Sequence, residues 1–249
     1  MRLSSKSFLA SIAVAMVVGQ PTFAQSQWEF NVTPYAWMSG LSGDLGTVPG
    51  LPSQPVDLSF GDILDDLDYG LFLFASARNG PWVVFLDTSA VQTTSKESGD
   101  GPVVKNIEVQ SKTTTLAMAI GRTIAAAPGQ NLDAYVGFRS WWLDNEFKVD
   151  TTLGDVKKSS DAQWTDPLVG LAGRYTINDR WMLFGNAEVG GFGVGADLEW
   201  TLMAGAEYAI TETISTSFGW RHQVVDYEDD GIVFDATQSG PLIGMTFRF

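Results

Sequence analysis

The sequence has no cysteine and one histidine, and its basic residues are scarce, with 15 Lys and Arg against 29 Asp and Glu. Without cysteine no disulfide can staple the chain, so its stability must come from the pairing and packing of its secondary structure. The formal net charge of −14 argues against nucleic acid as a partner, because phosphates would repel it. With 45% hydrophobic residues, the chain is not an acidic disordered segment either.

Long apolar runs are also absent, except for one at the N-terminus. Two basic residues precede an apolar run over residues 8–18, which leads to the small residue Ala24. About a dozen apolar residues are too few for a membrane-spanning helix, which needs about 20, but they have the form of a secretory signal. We predict a cleaved signal peptide over residues 1–24 and one exported domain over residues 25–249.

The C-terminal residues alternate with a period of two. Ile243, Met245, Phe247 and Phe249 share an apolar face, and the opposite face is small or charged and includes Arg248. An apolar face with no helix to cover it fits a strand that meets lipid, although a single strand of this kind also fits an ordinary sandwich. The pattern resembles the closing strand of Gram-negative outer-membrane barrels, where a terminal Phe after alternating apolar residues is the signal for the barrel-insertion machinery.

The same alternation recurs along the rest of the chain, and no amphipathic helix exceeds a couple of turns. These patterns predict an all-β, up-and-down antiparallel transmembrane barrel of about ten strands, with eight or twelve as alternatives. The predicted strands cover residues 28–38, 69–78, 82–93, 107–124, 132–149, 166–176, 181–189, 198–210, 214–225 and 232–249.

The connectors between these strands are alternately short and long. This layout is typical of a transmembrane barrel with both termini in the periplasm. The short turns are residues 79–81, 125–131, 178–180 and 211–213, and the long polar connectors are residues 40–68, 95–106, 150–165, 190–197 and 226–231. Within the first long connector, a short helix capped by Ser59 is expected, either as an inward plug or on the rim, unless the segment is a solvated acidic loop.

Residue parity along the strands places charged side chains inside the predicted barrel. Charge is costly against lipid and tolerable when paired in the interior, so this sorting supports the barrel interpretation. Glycines on the same face leave room for long arginines, and the result is either a closed ionic core or a thin water-filled path. The predicted lumen network is Arg139, Arg174, Arg221, Arg248, Asp87, Asp133, Glu188, Glu199 and Glu207.

All nine tryptophans follow the predicted signal peptide. Tryptophan is enriched where a barrel wall crosses from lipid to water, which explains such heavy use. The predicted interface aromatics are Trp28, Trp82, Trp142, Trp181, Trp200 and Trp220.

Motifs for catalysis or for cofactors are weak. The single histidine, His222, lies on the outward parity and has no serine in a His-x-Ser arrangement, so an interfacial role is the better interpretation. The glycines of residues 190–195 lack the Gly-Lys-Ser/Thr ending of a phosphate loop. The acidic residues after Val225 lack the glutamate of a calcium loop, since its twelfth position is Thr237. We therefore predict no catalytic residue, cofactor or metal.

Several motifs are similar to those of small, mostly uncharacterised outer-membrane β-barrel proteins of Gram-negative bacteria, including opacity-protein and porin-like barrels. They span nearly all of the chain after the signal segment and include residues 34–37, 164–167, 190–195, 219–221 and 240–249. The resemblance implies an outer-membrane location and a barrel fold, but it brings no substrate or catalytic residue. Contact with outer-membrane lipid is expected with that location, and the acidic loops suggest contact with anionic lipopolysaccharide through bridging divalent cations. A narrow solute channel or a structural envelope protein is expected. A lipid-modifying or hydrolytic enzyme and a surface adhesion module are the alternatives.

Overall fold

A computed structural model describes residues 28–46, 52–99 and 103–249. The predicted signal peptide lies outside the described residues. Within the described ranges no helix is long and apolar enough to cross a bilayer. The elements are β1 Trp28–Trp37, β2 Gly40–Gly46, β3 Gln54–Leu58, α1 Phe60–Asp65, β4 Leu67–Asn79, β5 Trp82–Ser98, β6 Val104–Ala127, β7 Gln130–Thr151, β8 Gly154–Thr176, β9 Trp181–Gly191, β10 Leu198–Ala209, β11 Ile214–Asp229 and β12 Ile232–Arg248.

The sheet closes on itself through ten antiparallel strands. Strands β4 to β12 pair in chain order, β1 pairs with β4 on one side, and β1 pairs with β12 on the other. Strand β2 continues along β12 beyond β1, so Ile243 pairs with Ala36 and Thr237 pairs with Ser42. Closure satisfies the backbone hydrogen bonds that lipid cannot satisfy. The ten-strand prediction is confirmed.

The prediction of a long irregular loop over residues 150–165 was wrong. Strand β8 begins at Gly154, 12 residues before its predicted start, and β5 runs five residues past its predicted end, whereas β6 and β7 lie within three residues of their predicted ends on this side. Near the tip of the β7–β8 hairpin, Val149 pairs with Val156. These extensions are polar on both faces because water surrounds them, and they therefore lack the alternation that marks a strand beside lipid. The result is a four-stranded sheet that projects beyond the barrel at one end.

The barrel wall is apolar outside and charged inside. Outward side chains such as Val136, Leu202 and Phe218 are about half exposed, whereas the inward Arg139 and Asp166 are almost fully buried. The C-terminal strand follows the same rule, with Ile243 and Met245 exposed on the outer face. This sorting gives a surface that fits lipid, not water.

The first long connector contains the predicted short helix, α1, at the barrel rim. Ser59 is its N-cap and forms a capping box with Asp62. The helix buries no residue, and Leu64 on it is 52% exposed. It packs beside β2 and β3, so of the two predicted positions the structure has the rim and not the plug.

The capping box generates a pH prediction. The Ser59 hydroxyl and backbone N–H donate to the Asp62 carboxylate at 2.6 and 2.8 Å, and these bonds lower the pKa of Asp62 below its usual value. Because the pKa of Asp62 is lowered in the folded state, the cap stabilises the helix at pH values above the usual carboxyl pKa. This stabilisation is lost as the pH falls through the folded-state pKa of Asp62. Ser59→Ala should raise the pKa of Asp62 in a carboxyl NMR titration. Ser98→Ala is the control, and an unchanged midpoint in Ser59→Ala would contradict the assignment.

Glycine lets neighbouring strands approach closely inside the barrel. At Gly137 on β7, a Cβ atom would lie 2.7 Å from both Cα and Cβ of Ala119 on β6. Such contacts force backbone movement, because they fall well inside van der Waals separation. At Gly173 on β8, a Cβ atom would have Leu132 Cδ1 as its nearest neighbour, at an ordinary 3.7 Å.

We therefore expect Gly137→Val to destabilise the barrel by about 1–3 kcal/mol, the usual effect of overpacking. The measurement is urea unfolding of the refolded protein in lipid vesicles. Gly173→Ala should leave the midpoint almost unchanged. Equal midpoints for Gly137→Val and the wild type would show that the β6–β7 contact is not tight.

Candidate functional site

The lumen contains all nine of the charged residues predicted for it. They divide into two layers at different heights. The central ionic layer contains Arg139, Arg221, Asp87, Glu188 and Glu199, and the periplasmic ionic layer contains Arg174, Arg248, Asp133 and Glu207, together with Arg78.

In the central ionic layer, Arg139 bridges two glutamates. Its guanidinium donates to Glu188 at 2.5 Å and also pairs with Glu199. The side chains of Arg139 and Glu199 are each 3% exposed, so this ion pair is almost completely shielded from water. The three residues come from β7, β9 and β10, and they tie separate parts of the wall together across the lumen.

Arg221 forms the second half of the central ionic layer. Its guanidinium donates to Asp87 at 2.9 Å and to the Tyr35 hydroxyl at 3.1 Å, and it lies 4.8 Å from the centre of the Trp37 ring. Gln223 joins the two halves, because it accepts from Arg221 and donates to Glu199. The layer thus crosses the whole lumen.

The periplasmic ionic layer is more open. Arg78, which the sequence analysis did not assign to the lumen, pairs with Asp133 and donates to Thr123 at 2.9 Å. Arg248 pairs with Glu207 and is 31% exposed. Arg78 lies on the inward face near the end of β4, so its position in the lumen follows from strand alternation. Its partner Asp133 on β7 does not follow from any local pattern.

Arg174 differs from the other lumen arginines. It faces the lumen beside Phe184, its pairing neighbour on β9. Among the described residues it makes no ion pair and no hydrogen bond, although the carboxylates of Asp133 and Glu29 act on it electrostatically. The described part of the lumen therefore has one arginine without a direct hydrogen-bonding partner near the periplasmic end.

Aromatic side chains fill the external end of the lumen. Trp164 stacks on Tyr227 at 3.9 Å and on Trp141 at 5.6 Å between ring centres, and Phe234 packs against both tryptophans. All four rings are buried, and we call them the aromatic cluster. Both indole N–H groups are satisfied, since Trp141 donates to Glu199 and Trp164 donates to Asp166.

The β9–β10 loop closes over the aromatic cluster. Ala196 in this loop is fully buried, and its backbone N–H donates to Asp166 at 2.7 Å. A Cβ atom at Gly195 would lie 2.9 Å from Trp164 Cδ1, so only glycine allows the loop to come this close. The glycine-rich stretch therefore forms the tip of the β9–β10 hairpin and packs against Trp164 and Asp166.

Between the two ionic layers lies a cavity of about 170 Å³. Its middle is mainly apolar, with Phe74, Phe85, Phe184, Met203 and Leu168 on its wall, and its ends are formed by the ionic layers. Arginines near its periplasmic end are partly exposed, whereas Arg139 above it is buried. The cavity is therefore approached from the periplasmic side.

The predicted interface tryptophans all lie on the outer wall. Trp28, Trp82 and Trp181 begin β1, β5 and β9 beside the periplasmic turns, and Trp82 also lies 5.7 Å below the Arg122 guanidinium. Trp142, Trp200 and Trp220 lie higher on the wall. Their placement at the lipid–water boundary stays a prediction.

His222 lies on the outer wall and contacts the Trp200 ring at 5.0 Å between ring centres. Ser239 is opposite it on β12, but the Ser239 hydroxyl accepts from the Trp220 indole. In the described part of the chain, no hydrogen bond joins His222 to a carboxylate or to Ser239. Nor do the described residues include a group of three His, Asp or Glu arranged to hold a metal ion.

A closed antiparallel barrel with an apolar outer wall and a charged lumen is the architecture of an outer-membrane β-barrel protein. The chain is therefore an outer-membrane β-barrel protein. Its orientation, with the short turns at the periplasmic end, stays a prediction, and the names of the two ends of the lumen follow it.

No protein-family model matches the sequence, and no curated protein sequence matches it. Several solved structures are similar to this chain in fold. The outer-membrane protease OmpT of Escherichia coli is similar at 10% identity and a TM-score of 0.46, covering 89% of this chain and 96% of OmpT. A major outer-membrane protein of Thermus thermophilus has 11% identity and a TM-score of 0.41, covering 89% of this chain and 99% of that chain. Ail, the attachment invasion locus protein of Yersinia pestis, has 11% identity and a TM-score of 0.37, covering 90% of this chain and 100% of Ail. These similarities concern the barrel architecture alone.

The buried ion pairs generate a stability prediction. Arg139→Ala would leave Glu188 and Glu199 buried without their cation, which typically costs about 3–5 kcal/mol. The free energy of unfolding in urea measures the loss. The control is Lys157→Ala, which removes the exposed ion pair with Glu146 and should cost about 0–1 kcal/mol. Equal losses in the two variants would mean that Arg139 is not buried as described.

Proposed function

We propose that this protein is a closed outer-membrane barrel with a structural role in the envelope, and that it provides no open solute path in its resting state. The observation that carries the proposal is the aromatic cluster at the external end of the lumen. Its rings are packed to contact distance, and Val225 and Ala196 beside them are almost fully buried. Water and ions need a wetted path, and tightly packed aromatic rings do not leave one.

The central ionic layer is a second barrier. A solute that passed the aromatic cluster would have to separate Arg139 from its two glutamates or Arg221 from Asp87. Breaking a buried pair leaves an uncompensated charge, which is strongly unfavourable. The channel alternative therefore requires two rearrangements, whereas the structural role requires none.

The projecting sheet of β5 to β8 supports a role at the cell surface. From Trp142 to Thr151, strand β7 runs about 30 Å along its own direction at roughly 3.4 Å per residue. Backbone pairing holds this sheet together, and exposed ion pairs lie across it, with Lys96 at 3.1 Å from Glu108 and Lys157 at 2.6 Å from Glu146. A closed barrel would anchor such a sheet without letting solutes leak through the membrane.

We also propose that lipid and lipopolysaccharide cover the apolar outer wall and that the insertion machinery binds the C-terminal strand during assembly. The apolar, exposed Ile243 and Met245 support both proposals. An enzymatic role has less support, because the contacts of His222 are with a tryptophan ring on the lipid side.

Planar-bilayer recording of the refolded chain tests the closed state, with insertion shown by heat-modifiable gel mobility. We expect no conductance steps in the wild type. Arg139→Ala combined with Trp164→Ala opens a gap in each of the two barriers and should give steps, whereas Trp220→Ala on the outer wall should stay silent. Discrete steps in the wild type would overturn the proposal and favour the channel.

A further inference from the structure

The cavity between the ionic layers collects the unsatisfied polar groups of the lumen. Two buried side-chain atoms in the described residues lack a hydrogen-bond partner, Thr201 Oγ1 and Arg221 Nε, and both residues line this cavity. Arg174, the arginine without an ion pair among the described residues, lines it as well. Buried polar groups are almost always paired in native proteins, so two exceptions on the wall of one cavity favour a bound molecule there.

The positions of these groups define two polar ends. In the sheet register, Arg174 is opposite Phe184 on β9. Thr201 is opposite Glu188, which lies four residues further along β9 toward the external end. At about 3.4 Å per residue, the two levels are roughly 14 Å apart along the strand. The long Arg174 side chain shortens this span to the length of a small molecule. Phe74, Phe85, Phe184 and Met203 belong to the apolar wall of the same cavity.

Charge distinguishes the two ends. At the periplasmic end, Arg78 and Arg248 have direct carboxylate partners, whereas Arg174 interacts with Asp133 and Glu29 only at longer range, so its guanidinium N–H groups remain available to an anion. Glu29, at the inward start of β1, is exposed and forms no ion pair among the described residues. At the upper end, Arg221 is neutralised by Asp87, so its free Nε–H suits a neutral oxygen better than a second charge.

Size restricts the ligand further. A cavity of about 170 Å³ is close to the engineered apolar cavity of roughly 150 Å³ that holds benzene. It is much smaller than the roughly 300–1,000 Å³ of drug-sized sites. A single ring or a short chain fits, and a long acyl chain does not.

We propose that this cavity is a periplasm-facing binding site for a small monocarboxylate with an apolar body and a neutral oxygen at its far end. The carboxylate would accept hydrogen bonds from the Arg174 guanidinium. The apolar body would lie against Phe184 and Met203, and the far oxygen would accept from Arg221 Nε–H and bond to the Thr201 hydroxyl. This site is independent of the closed state proposed above, because a ligand can enter and leave from the periplasm.

The test is calorimetric titration of 4-hydroxybenzoate into the full mature chain in lipid nanodiscs, with empty nanodiscs subtracted. We expect saturable binding with one ligand per barrel. Benzoate, which lacks the far oxygen, should bind several-fold more weakly. 4-Hydroxybenzyl alcohol, which lacks the charge, should bind at least ten-fold more weakly, because charge-assisted hydrogen bonds are the strong ones.

Variants locate the site. Arg174→Gln should weaken 4-hydroxybenzoate at least ten-fold without changing the binding of the alcohol, and Thr201→Val should reduce the preference for 4-hydroxybenzoate over benzoate. Met203→Trp fills the cavity and should abolish binding, whereas Leu202→Trp makes the same change on the lipid face and should have no effect. If Met203→Trp fails the gel-mobility test for folding, Ala172→Leu replaces it.

Absence of saturable binding in folded wild-type protein would overturn the proposal. So would equal affinities for 4-hydroxybenzoate and the alcohol, or affinities unchanged in Arg174→Gln. The conductance recording is a separate measurement, so failure of the binding site and failure of the closed state are distinguishable.

Discussion

The β1–β12 pairing is the contact on which the rest of the structure depends. Lipid offers no hydrogen-bond partner, so a sheet in the hydrocarbon region must have no free edge. Pairs such as Val32 with Phe247 and Trp37 with Leu242 remove the last two edges. Once the sheet is closed, each strand has one face toward lipid and one toward the lumen. The lipid face is then apolar, and the lumen face contains the charged residues.

That separation makes the lumen an unusual interior. A barrel of ten strands is too narrow for a wide aqueous channel and must fill its middle with side chains. Here three kinds of filling are stacked along the axis: the aromatic cluster at the external end, the central ionic layer around Arg139 and Arg221, and a cavity above the periplasmic ionic layer. The ion pairs are compensated locally, so burial of charge does not require an open water path.

The barrel fold and the residues that face its lumen could be predicted from the sequence. Side chains alternate between the two faces of a strand, and this alternation can be followed without knowledge of distant contacts. Parity placed Arg139 and Glu199 in the lumen, and the same rule puts Trp141 beside Arg139, although the aromatic cluster was not anticipated. The pairing of Arg139 with Glu199, 60 residues away, depends on the stagger of the closed barrel, which no local pattern encodes. The polar first half of β8 was missed, because only its pairing with β7 marks it as a strand.

The side from which the lumen can be reached tests the central claim most directly. The chain has no cysteine, so Ser217→Cys gives a single thiol in the wall of the cavity, below the aromatic cluster. In vesicles that hold the barrel in one known orientation, a small membrane-impermeant thiosulfonate reagent is added from either side, with Ser159→Cys on the projecting sheet as the external control. The account predicts that the thiol introduced at position 217 reacts only from the periplasmic side, whereas equal reaction from both sides would show that the external end is open.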